Sequence, residues 1–251
     1  MISWTIRHIP RKYLQLFSHF FLKIAAVIYT GSNVTCNICQ RGFRKFLPYG
    51  RIARENALCP NCLGLERHRL MWLFLQKETD FFTAPQRVLH VAPELCFLGR
   101  FKKLKNLEYI TGDIESPLAD VKMDIHQIPF EDNSFDVVFC NHVMEHVEDD
   151  IKACAEINRV LKPNGFGIIQ SPVYEQEVTL EDKSITDPKE RERVFGQSDH
   201  VRKYGKDYAK RLSKSGLMVS ENNFVKQLPE EMVKKFALPE KEIIFYCQKG
   251  Q

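Results

Sequence analysis

From residue 87 onward the chain alternates short apolar runs with longer amphipathic ones, and this alternation narrows the fold more than any other feature. "RVLHV" (87–91), "EYITGD" (108–113), "DVKMD" (120–124), "SFDVVFCN" (134–141) and "FGIIQSP" (166–172) read as strands. The fourth is apolar along nearly its whole length, as a strand buried on both faces should be. Leu95, Leu98, Phe101 and Leu104 place a helix face after the first strand. Ile151, Cys154, Ile157 and Leu161 mark another helix, which "KPNG" (162–165) ends through its Pro and Gly. A polar stretch rich in Glu and Lys (175–195), a helix near 205–215, "LMVSENNFV" (217–225) and "EIIFYCQ" (242–248) complete the pattern. The expected class is α/β: a mostly parallel, doubly wound sheet covered by helices, with ligands at the carboxyl ends of its strands.

The residues ahead of this pattern carry a different signal. Cys36-Asn-Ile-Cys39 and Cys59-Pro-Asn-Cys62 are two C-x2-C pairs with 19 residues between them, a spacing that predicts a zinc ribbon. Each pair offers two sulfurs from one turn, and two turns complete a tetrahedron around a structural Zn2+. A redox role for either pair is the alternative that the doubled arrangement argues against. "GLERHRLMWLFLQKE" (64–78), with Leu65, Leu70, Leu73 and Phe74 on one face, predicts a connecting helix. The expected organisation is an amphipathic helix over 1–30, the ribbon over 31–64, the connecting helix over 65–84 and the α/β domain over 85–251.

Charge is unevenly spread. Lys and Arg total 36 against 32 Asp and Glu, yet residues 1–54 hold nine bases and no acid. A positive front points to an anionic partner, nucleic acid or a lipid surface. Arg41, Arg44, Lys45, Arg51 and Arg54 with Phe43, Phe46 and Tyr49 have the residue types that neutralise and stack on nucleic acid. The same bases would also balance the negative charge of four thiolates on one Zn2+. In the first thirty residues, Leu14, Phe17, Phe21, Ile24 and Ile28 follow helical spacing. Lys23 interrupts the apolar run too early for a spanning helix or a signal peptide. Packing on protein and peripheral contact with a membrane are both open for this helix. Cys96, Cys140, Cys154 and Cys247 lie singly in apolar runs and read as buried thiols, which favours a reducing, cytoplasmic setting.

"YITGDIES" (109–116), "MDIHQIPFEDNSFDVVFCNHVMEHVED" (123–149) and "INRVLKPNGFGIIQSPV" (157–173) together resemble the class I S-adenosylmethionine-dependent methyltransferases, in the branch that holds small-molecule and quinone methyltransferases. The resemblance spans roughly residues 85–250. It implies a seven-stranded, Rossmann-like sheet whose last strand is antiparallel, and S-adenosylmethionine as cofactor. It assigns Asp113 to the ribose hydroxyls, with Ile114 beside it. It assigns Asp124 to the adenine amino group and the Ile125 backbone to the ring, and it places Asn141 beside the reactive methyl. A turn-capping role is the alternative for either aspartate. The first loop, His90, Val91, Ala92 and Glu94, departs from the family pattern: Ala92 and Pro93 stand where glycines are expected. The cofactor carries no phosphate, so the loop needs fewer backbone donors than a pyrophosphate would. Glu94 is expected to pair with the cofactor's ammonium.

His142 and His200 are the candidates for a catalytic base, with hydrogen bonding or capping as the plainer role for each. His142 and His146 lie four apart, but "HVMEH" lacks the glutamate placement of H-E-x-x-H, so that pair is assigned no metal. Arg202 and Tyr204 are candidates to grip a polar acceptor. Three readings follow: a methyltransferase for a small-molecule, glycan or lipid-linked acceptor at oxygen or carbon; an RNA methyltransferase that captures its substrate with the ribbon; and a non-catalytic scaffold that binds the cofactor. "CNHV" after the fourth strand, in place of an N/D-P-P-[YF] motif, favours the first.

Overall fold

The computed structural model describes residues 24–250 and divides into two compact units. The first comprises the chain up to Thr79 together with Val225–Glu242. Two antiparallel hairpins open it: β1 (Thr30–Cys36) with β2 (Arg41–Phe43), and β3 (Leu47–Tyr49) with β4 (Arg54–Leu58). Helix α1 (Glu66–Glu78) follows, with every residue from His68 to Leu75 buried. The expectation for residues 1–30 falls largely outside the described residues, Leu14, Phe17 and Phe21 included. Residues 24–28 are helical, with Ala26 buried while Ile24 and Ile28 are exposed.

The return of Val225–Glu242 to this unit differs from the sequence expectation, which ran the α/β domain unbroken to residue 251. The physical reason is Arg69. Its side chain is fully buried, and its guanidinium donates to the carbonyls of Asn56, Ala57 and Gly64 and to those of Phe236 and Ala237. The last two end helix α6 (Glu230–Phe236). One planar cation thus joins segments more than 160 residues apart in sequence, a use to which guanidinium suits better than ammonium.

The second unit comprises Asp80–Phe224 and the chain from Ile243 onward. Its seven-stranded sheet has the order β12-β13-β9-β8-β5-β6-β7. The strands are β5 (Gln86–Val91), β6 (Leu107–Asp113), β7 (Val121–Lys122), β8 (Phe135–Asn141), β9 (Leu161–Gln170), β12 (Met218–Asn222) and β13 (Ile244–Gln248). β5 through β9 pair in parallel, and β13 runs antiparallel to both β9 and β12. This is the expected class I sheet with its antiparallel last strand. β8 lies near the middle and only Asp136 of its seven residues escapes full burial, as its continuous apolar run requires.

Helix α2 (Leu95–Phe101) buries Cys96, Phe97 and Phe101 and exposes Leu95. The face read from Leu95 and Leu98 is therefore rotated, because the aromatic rings Phe97, Phe101, Phe81, Phe139 and Tyr109 cluster with His90 and set the helix orientation. Helix α3 (Asp150–Val160) covers the sheet through Ala153, Cys154, Ile157 and Val160. The polar stretch 175–195 holds β10 (Leu180–Glu181) and helix α4 (Pro188–Phe195), capped by Asp187 and stopped by Gly196 at φ 97°. β10 pairs with β11 (Arg202–Lys203), and helix α5 (Tyr208–Ser213) follows.

Chain order within the sheet fixes where a ligand can sit. From β5 the chain adds β6 and β7 on one side, then crosses to place β8 on the other. The carboxyl ends of β5 and β8 therefore flank a topological switch point, where an open α/β sheet leaves a crevice.

Candidate active site

Val91 closes β5 beside Gly112 of β6 and Cys140 of β8, so the residues after these strands line one sheet edge. Val91 itself turns its side chain into the core, leaving only backbone to the crevice. The next residue, Ala92, has φ 49° and donates its N–H to Gly112 O at 2.8 Å. Across the switch point His142 has φ 56°. Both lie in the left-handed region, which costs a residue with a Cβ about 1–2 kcal/mol and is often retained at functional sites. Ala92→Gly removes that cost and adds back about 0.5–1 kcal/mol of chain entropy. The expected result is a denaturation midpoint unchanged or slightly raised, with ligand binding intact.

Glu94 spans the crevice. Its Oε2 lies 2.6 Å from His90 Nε2, and its Oε1 accepts from Asn141 Nδ2 at 3.0 Å. His90 is fully buried and its Nδ1 lies 2.7 Å from the Tyr109 hydroxyl. Both ring nitrogens are engaged, so His90 acts by holding Glu94 in place and offers no free nitrogen to a ligand. Burial and the nearby Glu94 push the Tyr109 phenol well above its ordinary range, so it remains neutral.

Asp113 ends β6. Its Oδ1 accepts the backbone N–H groups of Glu115 and Ser116 at 2.8 and 2.7 Å, while among the described residues Oδ2 accepts none. The turn thus fixes the carboxylate and leaves one oxygen for another donor. Ile114 beside it exposes 58% of its surface, an apolar contact at a strand end. Asp124 follows β7. Its Oδ1 accepts from the backbone N–H of His126 and lies 2.7 Å from that ring's Nδ1. The backbone bond is the main reason its carboxyl sits below the usual range. Ile125 is buried in the core, so only its backbone is placed to meet a ring.

His142 follows β8, held by its N–H to Gln170 O at 2.7 Å. Its Nδ1 lies 3.2 Å from Glu145 Oε1, and its Nε2 has no hydrogen-bond partner among the described residues. Glu145 is 2% exposed, and its Oε2 accepts from Ser171 Oγ at 2.8 Å. Burial alone would raise this carboxyl, but the hydrogen bond from His142 and the pull of His142 and His146 hold it below the usual range. His200 is also buried, and its ring centroid is 4.8 Å from that of His146. Burial, aided by His146, pushes the His200 imidazole down from its ordinary value. The segment 143–148 forms turns, not a helix, so His142 and His146 do not share a helical face. Glu145 and Ser171 were missed in the sequence, where the only signal was an acid set among histidines in an apolar stretch.

Arg202 and Tyr204 do not face an acceptor. Arg202 is 1% exposed and donates to the carbonyls of Met144, Val147 and Glu148 and to Glu181. Tyr204 is fully buried and donates to Asp150. Arg211 completes the network with two bonds to Asp150. Its work is to hold the loop that carries Glu145 and His146.

In the first unit the four cysteines converge. Cys36 and Cys62 Sγ are 3.6 Å apart, Cys39 and Cys59 Sγ 3.7 Å, and all four lie within 4.8 Å of one another. A tetrahedron of sulfurs about 2.3 Å from Zn2+ has edges of about 3.8 Å, so the set fits one such ion. The two knuckles are built alike. Gln40 N–H donates to Cys36 O and Leu63 N–H to Cys59 O, and both donors are left-handed, at φ 57° and 62°. The charge that reaches these thiols from inside the unit is Arg69, whereas Arg41, Arg44, Lys45, Arg51 and Arg54 are exposed. Phe43 and Phe46 are buried against each other and Arg69 lies over the Phe46 ring, so of the three aromatic residues expected to stack on nucleic acid only Tyr49 is at the surface.

Residues 84–169 match the family model described as a methyltransferase domain. The chain is 38% identical over 85 residues to a demethylmenaquinone methyltransferase of Staphylococcus aureus, covering 30% of this chain and 35% of that protein. It is 38% identical over 60 residues to an uncharacterized 37.1 kDa protein of a Streptomyces fradiae transposon, covering 24% of this chain and 17% of that one. The matched segments thus span about a third or less of these relatives. Among solved structures, YcgJ of Bacillus subtilis shares 17% identity over 74% of this chain and 99% of its own, with a TM-score of 0.45. Among the described residues no helix is long and apolar enough to cross a membrane.

Proposed function

We propose that the chain, whose residues 84–169 match a methyltransferase-domain model, is a class I enzyme that transfers a methyl group from S-adenosylmethionine to an oxygen or carbon of a small-molecule, glycan or lipid-linked acceptor. The observation that carries this reading is Asp113, a strand-end carboxylate with one oxygen fixed by its own turn and the other left for a ligand. When bound, the cofactor supplies an electrophilic methyl on a sulfonium.

The chain's own residues supply the rest. Asp113 accepts the ribose hydroxyls, and Ile114 gives the adenosyl group an apolar contact. Asp124 and the Ile125 backbone meet the adenine. Glu94 has lone pairs beyond those used by His90 and Asn141, and it takes the ammonium end. The stiff Ala92-Pro93 loop shapes the floor of the crevice without supplying many donors. We assign to the unpartnered His142 Nε2, which is buried in this structure, the receipt of a proton from an acceptor hydroxyl once the crevice opens around it, with Glu145 at Nδ1 setting the ring's orientation. Line-up of the acceptor with the methyl is what the crevice contributes most to rate. In the first unit, structural Zn2+ on Cys36, Cys39, Cys59 and Cys62 holds the two hairpins. The surface Tyr49 with the exposed Arg41 and Lys45 would face an anionic partner such as a lipid headgroup.

Calorimetric titration with S-adenosylmethionine tests the site. Each hydrogen bond to a charged acceptor contributes about 1.5–3 kcal/mol, so Asp113→Ala should weaken binding on the order of a hundredfold. Asp113→Asn keeps the turn-forming oxygen and should fall between the variant and the parent. Equal binding by all three proteins would remove Asp113 from the site. Incubating the protein and labelled cofactor with fractionated cell extract identifies the acceptor. Label confined to RNA would replace the small-molecule reading with the ribbon-capture one.

A further inference from the structure

We infer that Glu145, His146 and His200 form a site for a divalent transition-metal ion of the Zn2+ type, separate from the four-cysteine centre. One ligand atom from each residue lies within 4.8 Å of the other two. Nitrogen ligands about 2.05 Å from a tetrahedral ion stand about 3.4 Å apart. A small shift of the exposed His146 side chain that keeps its Nδ1 against Asp199 closes the excess.

Three independent features point to a cation here. The first is His200 Nε2, a nitrogen in a side chain 1% exposed that has no hydrogen-bond partner among the described residues. A buried polar atom of this kind costs free energy unless something occupies it. The second is Glu145. Its carboxylate is 2% exposed, and among the described residues neither Lys nor Arg pairs with it; its partners are His142 and Ser171. The other buried carboxylate among the described residues, Asp150, has the Arg211 guanidinium. A buried carboxylate with no guanidinium or ammonium beside it is a ready anionic ligand, and a divalent ion would add to the support that His142 and Ser171 give it.

The third feature is the support behind each ligand. His146 Nδ1 faces the Asp199 carbonyl at 3.3 Å and its carboxylate at 3.5 Å, which aims Nε2 the other way. The Phe195 backbone lies beside the His200 ring and favours its charged form. Ser171 and His142 hold Glu145. Such carboxylate or carbonyl partners on the far nitrogen are what orient metal-ligating histidines. Val201 N–H donates to Glu145 O at 3.0 Å, which ties the loop after α4 to the loop after β8. Two imidazoles and one carboxylate leave open positions on the ion, suited to an oxygen of the acceptor.

The site deepens the proposed reading by giving His200 the role of ligand where the sequence offered it as a base, yet it can be tested without any methyl transfer. Full-length protein is equilibrated with Zn2+, dialysed, and its metal content measured. Two zinc ions per chain are expected for the parent, and one for His146→Ala, whose exposed side chain can be removed without disturbing the core. Mn2+ followed by electron paramagnetic resonance serves as a second probe, because a hard ion avoids the four thiolates. It should bind once per chain in the parent and at least about tenfold more weakly in His146→Ala and in His200→Gln. One zinc per chain in the parent with Mn2+ remaining free would overturn the inference, as would a second zinc that His146→Ala retains. Cofactor binding measured on the same samples separates this outcome from failure of the methyltransferase reading, since neither result depends on the other.

Discussion

Stripping the proposed zinc with a strong chelator, or replacing Cys59 with Ser, should unfold the hairpins β1 to β4 while the seven-stranded sheet keeps its structure. Structural Zn2+ in small modules contributes about 10–16 kcal/mol of apparent binding energy, far more than two short hairpins can recover from their own core. Phe43, Phe46, Ala57 and Ile38 are the main apolar side chains buried among them. Loss of metal also leaves four thiols crowded within 4.8 Å and open to oxidation. Hydrogen exchange read peptide by peptide checks the outcome. Protection should vanish over residues 30–63 and persist over 86–91 and 135–141. Protection retained at the hairpins after complete removal of the metal would show that the unit folds without it.

Arg202→Met should lower stability by about 3–5 kcal/mol, the usual penalty for removing one partner from a buried ion network. For a protein of this size that is a fall of roughly 6–20 °C in the unfolding midpoint. The variant leaves the carbonyls of Met144, Val147 and Glu148 without their donor and Asp150 and Glu181 with one guanidinium, Arg211. The same network sets an acid limit on the parent. Burial would raise both carboxyls, but Arg211, Arg202 and Tyr204 hold Asp150 below its ordinary range, and Arg202 and Arg211 do the same for Glu181. A carboxyl whose folded pKa is depressed adds stability that is complete above its unfolded pKa, about 4, and is lost as pH falls through the folded value. The contribution of this network should therefore be flat above about pH 5 and decline below it. Arg202→Met should be weaker at neutral pH and show a shallower acid limb. Thermal melts across pH 3–7 measure both, and a variant as stable as the parent at pH 7 would contradict the assignment.

Much of this architecture could be read from the chain because the signals were local. The apolar run of 134–141 needed no distant information to be identified as an interior strand, and the two C-x2-C pairs carry their geometry in their spacing. Asp113 and Asp124 were placed by their position at strand ends. What escaped was decided by partners remote in sequence. Arg69 and Arg202 look like surface bases, since arginine is rarely buried, and only the folded chain brings backbone carbonyls around them. His90 reads as a ligand-facing residue until the Tyr109 hydroxyl and Glu94 are seen on its two nitrogens. In helix α2 the leucine spacing points to a different face, because Leu95 and Leu98 compete with Phe97, and stacking of Phe97 on Phe101 settles the contest.

β13 has an unusual birth order. It is made after β12 and β9, yet it lies between them, and β12 reaches the sheet only through it. Before β13 arrives, the chain has also left this body to lend Val225–Glu242 to the other one. During synthesis, then, the β9 border stays unpaired until almost the whole described chain has left the ribosome, and an unpaired strand border is a template for sticking to another chain. Nor can a single proteolytic nick free one body from the other, because the polypeptide passes between them three times.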